Sequence, residues 1–423
     1  MLFGCRSPLP QAKFRPRERA PAKTTPKKSN YKSDGFVKSL FFHHREHGEF
    51  FSLRLVISVC SVCSVVNFKF LRDHQICSEN QQNKSVINFH TIIIGAGPGG
   101  LACARKLARN NIDVLVLERK SRIGPKTCAG GITWSGLVQR FPADLIEKSF
   151  RRQHIRSAWQ QTDLDFQEPI IATVNRETLG QWMLDRAREA GATVLTSTPV
   201  KHITKEDITT QDGATYRFHH LVGADGSSSR VRKFLGLPSK QRGVGIHYEI
   251  EGEFERMIWH LDPALFGCGY GWIFPHKTGA SIGAYAWKNN PDSRLLKQKL
   301  DHWIKKHGID TGSARLRAGL INCDFRGYRF GNIFLVGDAA GLASGLTGEG
   351  IYPAIVSGET VASLLLGNEK ETQPLERIIK KQQRHGRLIR LASTNRLFCR
   401  LMMETLILGL RTGIFNFTDL EMA

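Results

Sequence analysis

The chain has 423 residues, of which 41% are hydrophobic, so it is long enough for two or three folded domains and is not disordered throughout. Lys and Arg number 60 against 38 Asp and Glu; residues 1–90 hold 15 of the basic and 6 of the acidic residues, and the rest holds 45 and 32. This excess favours an anionic partner, such as a phospholipid surface or a nucleotide. Because the sequence has no zinc finger, RNA-recognition signature or basic zipper, we predict no nucleic-acid partner.

The nine cysteines lack the regular spacing of a disulfide framework, which indicates a reducing, cytoplasmic compartment. Cys60 and Cys63 form a C-x-x-C pair within an apolar run, but no second pair follows at the spacing of a zinc site. We therefore interpret this pair as incidental and predict no metal site.

Residues 1–88 do not show the pattern of a folded domain. The first 33 are rich in Pro, Lys, Arg and Ser, and the apolar run at 55–66 is too short to span a bilayer and too far along the chain for a signal peptide. Three interpretations remain: a translated upstream region before a later start, a basic transit segment, or an interfacial anchor. We favour the first, because the folded pattern begins abruptly at Ile87.

That pattern begins with a strand, a glycine-rich turn and a helix. Ile92–Ile94 is a short apolar run, typical of a strand buried on both faces. Three glycines follow it with the spacing G-x-G-x-x-G: Gly95, Gly97 and Gly100. In such a unit the first glycine permits a tight turn, the second lets a pyrophosphate approach the backbone, and the helix N-terminus attracts the phosphates. The pattern predicts a dinucleotide site; the alternative is a glycine-rich turn in an ordinary α/β core.

A second buried strand, Val114–Leu117, completes this unit and ends on Glu118, near the position of an acid that binds a ribose hydroxyl. Arg119 beside it is a further candidate for cofactor binding. The following loop contains Cys128 between the pairs Gly124-Pro125 and Gly130-Gly131, which allow close approach of the backbone to a ligand. Taken alone, a cysteine in such a loop is more often structural than reactive.

Residues 174–242 continue the α/β pattern. Val174–Ala192 predicts an amphipathic helix, and Arg176 at its start either reaches the cofactor or is solvated. Short strands and a hairpin around the Asp212-Gly213 turn follow. The segment GADGSSSRVR at 223–232 is a second strand-to-helix turn, in which Asp225 is either a cofactor ligand or an acid that structures the loop.

Residues 243–330 alternate like strands and are dense in aromatic residues and glycines, which predicts a mostly antiparallel sheet. Tyr270, Trp272 and Phe274 alternate with other residues, so they share one face of a strand. Either they line an apolar slot for a substrate or they are plain core.

Residues 332–358 again show the pattern of a nucleotide-binding unit, a buried strand followed by a glycine-rich turn and a helix. Asp338 follows a buried strand, at the edge where ligands bind in open α/β sheets, and can hold a hydroxyl by a charge-assisted hydrogen bond. Gly348 and Gly350 open a helix whose positive end can face an anionic ring.

The tail from 374 to 409 is helical in pattern and basic. Arg377–Arg411 contains nine Lys and Arg and one acid, Glu404, beside an apolar helical face. Such a segment either lies on an anionic membrane as a peripheral contact or packs on the folded body.

These segments resemble the geranylgeranyl reductase family, within the flavoprotein group that includes aromatic hydroxylases. The resemblance covers about residues 89–365. Besides the glycine fingerprint, it rests on the K-x-C-x-G-G loop at 126–131, the Y-x-W-x-F-P segment at 270–275, and the G-D-A-A-G and G-E-G-I signature within 337–351. The upstream proline of the family's aromatic motif would fall at Gly267, so the chain departs from the pattern there.

The resemblance implies an α/β fold: a Rossmann-type FAD-binding domain with an inserted, mostly antiparallel β-sheet substrate domain and a helical C-terminal tail. The domains are then a basic leader outside the fold (1–88), the FAD-binding domain (89–242 and 331–365), the substrate domain (243–330) and the C-terminal helical region (366–423). Catalytic roles are implied for Cys128, Tyr270 and Trp272. The candidate FAD ligands are Gly95, Gly97, Gly100, Glu118, Arg119, Asp225, Asp338, Gly348 and Gly350.

Three functions are compatible with the sequence. The first is an FAD-dependent reductase of polyprenyl double bonds; the second is a monooxygenase or halogenase on the same scaffold; the third is a non-catalytic cofactor-binding module at a membrane. We favour the reductase. The many site loops argue against a non-catalytic module, and the W-x-W-x-I-P segment of halogenases is matched only in part, since Tyr270 and Phe274 replace its first Trp and its Ile. The sequence does not name the electron donor, and it has no second dinucleotide fingerprint for a separate NADPH domain. We expect either transiently bound NADPH or a ferredoxin-like protein.

Overall fold

The structure is a computed structural model that describes residues 41–46, 49–54, 86–134, 136–287 and 293–422. The chain divides into two compact units, and the described part of the smaller one, Phe14–Asn83, is an antiparallel hairpin of β1 and β2. The Cys60–Cys63 pair, the apolar run around it and most of the predicted leader lie outside the described residues.

The strands of the described residues are β1 Phe41–Glu46, β2 Glu49–Arg54, β3 Ile87–Ile94, β4 Val114–Leu117, β5 Gly131–Thr133, β6 Ile146–Phe150, β7 Arg152–Ser157, β8 Gln161–Asp165, β9 Ile171–Val174, β10 Thr193–Leu195, β11 Val200–Ile203, β12 Asp207–Thr210, β13 Thr215–Gly223, β14 Arg242–Glu251, β15 Ile258–Leu261, β16 Tyr270–Pro275, β17 Gly279–Trp287, β18 Arg317–Asn322, β19 Arg329–Phe330 and β20 Ile333–Leu335. The helices are α1 Pro98–Ala108, α2 Arg176–Glu189, α3 Arg230–Phe234, α4 Pro263–Phe266, α5 Ser293–Lys306, α6 Gly337–Ala340, α7 Ile351–Leu365, α8 Gln373–Ala392 and α9 Arg396–Thr412.

The nucleotide-type sheet has the strand order β10-β4-β3-β13-β12-β11, with β20 paired to β13 and β19 paired to β20. Its centre is parallel, because β3 runs parallel to β4 and β13, and β13 runs parallel to β20. Ile92 and Ile93 are fully buried, as expected of a strand covered on both faces. The carboxyl ends of β3, β13 and β20 therefore meet at one edge, and each precedes a predicted ligand segment.

A second sheet has the order β18-β14-β17-β16-β15-β7-β8 and is antiparallel except for the pair β15–β7. This sheet includes strands from outside the predicted substrate domain at 243–330, because β7 and β8 also belong to it. A third, smaller sheet has the order β5-β9-β6.

Of the last two helices, α9 packs on β7 and β8 of the second sheet, whereas α8 contacts α7 and α9. Ile407 and Leu410 of α9 are buried against Ile155 of β7, while Leu397 and Leu401 of the same helix are 60% and 47% exposed. The apolar residues of the tail are therefore divided between a packed side and an open side. Among the described residues, no helix combines the length and apolar character that crossing a membrane requires.

Candidate active site

A cavity of about 1410 Å³ collects the predicted segments into one place. The glycine turn, the 126–129 loop, the start of α2, the 225–228 turn, β16 and the loop before α7 all contribute to its wall. The predicted site residues that line it are Gly95, Gly97, Glu118, Arg119, Cys128, Asp225, Tyr270, Trp272, Asp338, Gly348 and Gly350. Gly100 is buried and does not line the cavity.

The three fingerprint glycines have different surroundings. Gly95 has a φ of +102°, and a Cβ there would lie 2.5 Å from the Ala224 carbonyl oxygen. A Cβ on Gly100 would lie 2.1 Å from the carbonyl oxygen of Gly95, so this glycine is required for close packing. A Cβ on Gly97 would meet only the Ala224 oxygen, at 3.8 Å. The open side of the turn is therefore at Gly97, at the N-terminus of α1, where backbone N–H groups favour an anion.

Glu118 stands at the end of β4 and holds the glycine turn. Its carboxylate oxygens accept hydrogen bonds from the backbone N–H groups of Ala96 and Lys120, both at 2.9 Å. Each oxygen has a second lone pair, so the carboxylate remains able to accept from a ligand hydroxyl. The residue thus combines a structural role, which the sequence did not reveal, with the predicted position at the cavity wall.

Asp338 lies in a polar cluster at the end of β20. Its Oδ2 accepts from Lys126 Nζ at 2.9 Å and lies 2.9 Å from Ser227 Oγ, while its backbone carbonyl accepts from the Asn322 side chain at 2.8 Å. The carboxylate is 9% exposed and faces the cavity. One acid therefore joins the loop at 126–129, the turn at 225–228 and β20.

Asp225 has one oxygen engaged and one free of hydrogen bonds. Its Oδ2 accepts from the Arg230 backbone N–H at 2.5 Å, whereas Oδ1 is buried without a partner. Burial raises the pKa of this carboxyl, and hydrogen bonds at Ser229 and Arg230 oppose that shift. The two sequence interpretations are thus not exclusive: the acid structures the turn and also presents an unused oxygen.

Arg176 starts α2 and lines the same cavity. Its Nε and Nη1 are buried and have no hydrogen-bond partner in the protein. Buried guanidinium groups without acceptors are costly, and an anionic ligand relieves that cost. This observation favours the interpretation that Arg176 reaches a cofactor.

The aromatic residues of β16 are partly core and partly cavity wall. The Tyr270 hydroxyl donates to the Thr347 carbonyl at 2.5 Å, and burial raises its pKa. Trp272 is 4% exposed and donates from Nε1 to Ser281 Oγ at 3.1 Å. Both side chains therefore hold the wall together, Tyr270 by fixing the loop before α7.

Cys128 is partly buried, and its Sγ accepts a weak hydrogen bond from the Gly130 N–H at 3.4 Å. His276 holds the loop in place. Its Nε2 lies 3.0 Å from the Ala129 carbonyl oxygen, and its Nδ1 lies 2.5 Å from Glu147 Oε2. Burial lowers the pKa of His276, but the two acceptors outweigh burial and the net shift is upward.

Comparison with known proteins places this site in context. The sequence matches the family model described as FAD binding domain over residues 88–255. The chloroplastic geranylgeranyl diphosphate reductase of Nicotiana tabacum is 28% identical over 66% of this chain and 66% of that protein. Digeranylgeranylglycerophospholipid reductase 2 of Methanopyrus kandleri is 28% identical over 70% of this chain and 82% of that protein. A geranylgeranyl bacteriochlorophyll reductase-like structure from Thermoplasma acidophilum matches with a TM-score of 0.64 and 22% identity, over 73% of this chain and 89% of that one.

The chain carries an FAD binding domain and is similar to geranylgeranyl reductases over about two thirds of its length.

This FAD-dependent oxidoreductase also shares its fold with enzymes of other names. A probable FAD-dependent monooxygenase from Pseudomonas aeruginosa matches with a TM-score of 0.56 and 17% identity, over 74% of this chain and 98% of that one. A halogenase matches with a TM-score of 0.56 and 14% identity, over 71% of this chain and 75% of that one. At these identities the likeness concerns the fold alone.

The residues of the cavity fit FAD as a cofactor. Its diphosphate is anionic, and the structure offers an open helix N-terminus at Gly97 and unpartnered guanidinium atoms at Arg176. Its hydroxyl groups need acceptors, and Glu118 and Asp338 have carboxylate lone pairs at the wall. No cluster of metal-ligating side chains occurs in the part of the chain that the structure describes.

Sequence reasoning did not single out three side chains in the wall of this flavoprotein cavity. Lys126 and Glu349 both lie inside motifs that were identified in the sequence, but the functional roles were assigned to neighbouring residues of those motifs. His247 on β14 had no signal: it is 1% exposed, its ring nitrogens make no hydrogen bond, and burial lowers its pKa to about 4. Only the pairing of β14 with β17 brings it beside Trp272.

Proposed function

We propose that this flavoprotein saturates carbon–carbon double bonds of a polyprenyl substrate of the geranylgeranyl type. The observation that carries the proposal is the composition of the cavity wall. The same cavity is lined by the polar loops and by apolar side chains of α9: Phe398, Leu401, Met402, Leu406 and Leu410. Phe398 and Leu401 are also exposed at the surface, so the apolar part of the wall reaches solvent where an apolar chain can enter.

FAD, when bound and reduced, supplies the hydride for such a reaction. We assign the diphosphate to the glycine turn, the α1 N-terminus and Arg176. Glu118, with Arg119 beside it, lies where a ribose hydroxyl would bind, and Asp338 where a ribityl hydroxyl would bind. Gly348 and Gly350 precede α7, whose N-terminus offers N–H groups and a positive dipole to a ring that becomes anionic on reduction.

Tyr270 and Trp272 position the substrate by forming a rigid apolar wall, since their polar atoms are satisfied by Thr347 and Ser281. Cys128 lies near Tyr270 and lines the same cavity. The protein's contribution is therefore alignment of an alkene with the cofactor and exclusion of water.

Two relatives carry names that fit this proposal. The tobacco protein is named for geranylgeranyl diphosphate and the Methanopyrus protein for a digeranylgeranyl phospholipid, and both substrates combine a long prenyl chain with phosphate. The shared chemistry is the prenyl chain, which we take as the substrate class. NADPH or a ferredoxin-like protein is proposed as the electron donor.

The deciding experiment is mass spectrometry of products from the reduced holoprotein under anaerobic conditions. Geranylgeranyl diphosphate and a digeranylgeranyl phospholipid are offered separately, and each reduced double bond adds two hydrogen atoms to the product mass. The alternative, a monooxygenase or halogenase, is favoured only by shared fold and requires dioxygen. Products formed solely in the presence of oxygen would replace the reductase proposal with that alternative.

We further propose that the protein works from the cytoplasm as a peripheral protein at an anionic membrane surface. The exposed apolar residues of α9 and of the segment that follows it are Leu397, Phe398, Leu401, Leu408, Ile414 and Phe415. The cations of Arg377–Arg411 lie on the same helical pair. A bilayer at this surface would cover the exposed apolar part of the cavity wall on α9 and give a membrane lipid direct entry.

A further inference from the structure

Glu349 occupies the centre of the G-E-G segment, directly before α7, and lines the cavity. Its Oε2 accepts a hydrogen bond from the Met422 backbone N–H at 2.8 Å. Its Oε1 is buried and makes no hydrogen bond within the protein. The segment thus presents one fixed and one unused carboxyl oxygen at the end of the cavity where Gly348 and Gly350 stand.

The groups around Glu349 come from several elements. Glu421 of the C-terminal segment raises its pKa, whereas Lys381 of α8, Thr133 of β5 and the Met422 N–H lower it. Desolvation is the largest influence, and the resulting pKa is about 7. The carboxyl is therefore protonated in a large fraction of molecules at neutral pH. Its charge also raises the pKa of Tyr270, as does Cys128, so the three side chains surround one part of the cavity.

We propose that Glu349 in its carboxylic acid form is the catalytic residue that donates the proton during double-bond reduction. This inference rests on the proposed function. With bound, reduced FAD as the hydride source, one alkene carbon would gain a hydride while the π electron pair forms a bond from the other carbon to the Oε1 proton, and Glu349 becomes a carboxylate. The alkene gains two electrons and two hydrogens, the flavin loses two electrons, and water reprotonates Glu349 before the next turnover.

Other side chains near this place are less suited to donate. The Tyr270 proton is engaged by the Thr347 carbonyl, and burial raises the pKa of the phenol. Burial lowers the pKa of His247 to about 4, so that its imidazole is neutral and a weak acid at pH 7. A general acid works best with a pKa near the working pH, which Glu349 meets.

The test compares wild type with Glu349→Gln in single-turnover reactions of the reduced holoprotein with geranylgeranyl diphosphate. The glutamine carbonyl can still accept from Met422, but the amide cannot supply the proton. We expect the variant to bind FAD normally and to form saturated product about 10²- to 10⁴-fold more slowly. The wild-type rate should fall above pH 7, and the residual rate of the variant should lose that dependence. Glu359→Gln on the exposed side of α7, where Glu359 pairs with Arg140, is the matched control.

A second readout does not depend on turnover. Because the pKa of Glu349 is about 7 in the folded protein against an ordinary 4.5, wild type loses stability relative to Glu349→Gln as pH rises through that interval. The difference in melting temperature between the two holoproteins should change there and stay constant above it. Equal single-turnover rates with equal pH profiles would overturn the role of Glu349. Absence of product from wild type itself would overturn the proposed function instead.

Discussion

The Lys126 ammonium lies 2.9 Å from the Asp338 carboxylate, although 212 positions separate the two residues in sequence. The contact joins the loop that carries Cys128 to the end of β20. Because Asp338 is 9% exposed while Lys126 is 53% exposed, the pair is buried on one side and solvated on the other. The proposed hydroxyl-binding acid is therefore held by a cation before any ligand arrives.

This pair gives the first prediction, which concerns cofactor affinity. Asp338→Ala should weaken FAD binding about 10- to 100-fold, because a charged hydrogen bond contributes about 1.5–3 kcal/mol. Lys126→Met should weaken it less than about tenfold, since its side chain is half exposed and screened by water. FAD fluorescence titration of the apoprotein measures both, and exposed Lys277→Met serves as the control. Unchanged affinity in Asp338→Ala would remove this acid from the cofactor site.

The second prediction separates binding from folding at the fingerprint glycines. A Cβ at Gly97 would have the Ala224 carbonyl oxygen as its near neighbour, at 3.8 Å, so Gly97→Val should fold yet lose FAD because it fills the diphosphate position. Gly100→Ala should instead lower the melting temperature, since its Cβ would lie 2.1 Å from the Gly95 carbonyl oxygen. Acid extraction, which should release FAD from wild type without a covalent link, and thermal unfolding measure the two effects. A yellow Gly97→Val protein would argue against a diphosphate at this turn.

The third prediction concerns Cys128. Cys128→Ser should leave FAD bound and the fold intact, but it should slow turnover or change which double bonds are reduced. Cys103→Ala is the matched control, because Cys103 is a fully buried core thiol that does not line the cavity. Steady-state kinetics with product analysis would check both variants. Kinetics equal to wild type across substrates would return Cys128 to a structural role.

The fourth prediction is a loss of stability in mild acid. Burial lowers the pKa of His247, His260 and His385 from 6.5 to about 4. Between pH 4 and pH 6.5 these histidines bind more protons in the unfolded chain than in the folded protein. The free energy of unfolding therefore falls as pH decreases, by about 1.4 kcal/mol per pH unit for each histidine.

Replacing one of these histidines tests the assignment. His260 Nδ1 accepts from Trp303 Nε1 at 2.7 Å, and a glutamine oxygen can take its place. His260→Gln should therefore reduce the slope of unfolding free energy against pH in urea titrations between pH 4 and 6.5. Exposed His302→Gln on the same helix as Trp303 should leave the slope as in wild type.

The fifth prediction concerns the membrane surface. The full chain should float with phosphatidylserine-containing vesicles at low salt and be released at high salt, because each cation near such a surface contributes about 1 kcal/mol. Replacing Leu397, Leu401 and Ile414 by serine should abolish flotation at unchanged charge, while Leu295→Ser on α5 should not. Wild type that stays at the bottom under both conditions would mean that the substrate is delivered in soluble form.

Sequence by itself determined the parts whose geometry is local. The strand at Ile92–Ile94, the glycine turn and the following helix form one contiguous unit, and its residues dictate φ values and helix start directly. The motifs at 126–131, 270–275 and 337–351 were likewise readable, because each packs its chemistry into a few consecutive residues. The family and the cofactor followed from them.

Only the tertiary structure decided how these segments act on one another. Burial in the folded interior raises the pKa of Glu349, and the Met422 N–H lowers it while the Glu421 charge raises it, so residues from the far end of the chain adjust its proton affinity. Burial of His247 and the division of α9 into a packed and an open side depend on strands distant in sequence. Desolvation and charge pairing are properties of what surrounds a side chain, and for these residues the surroundings are assembled by folding.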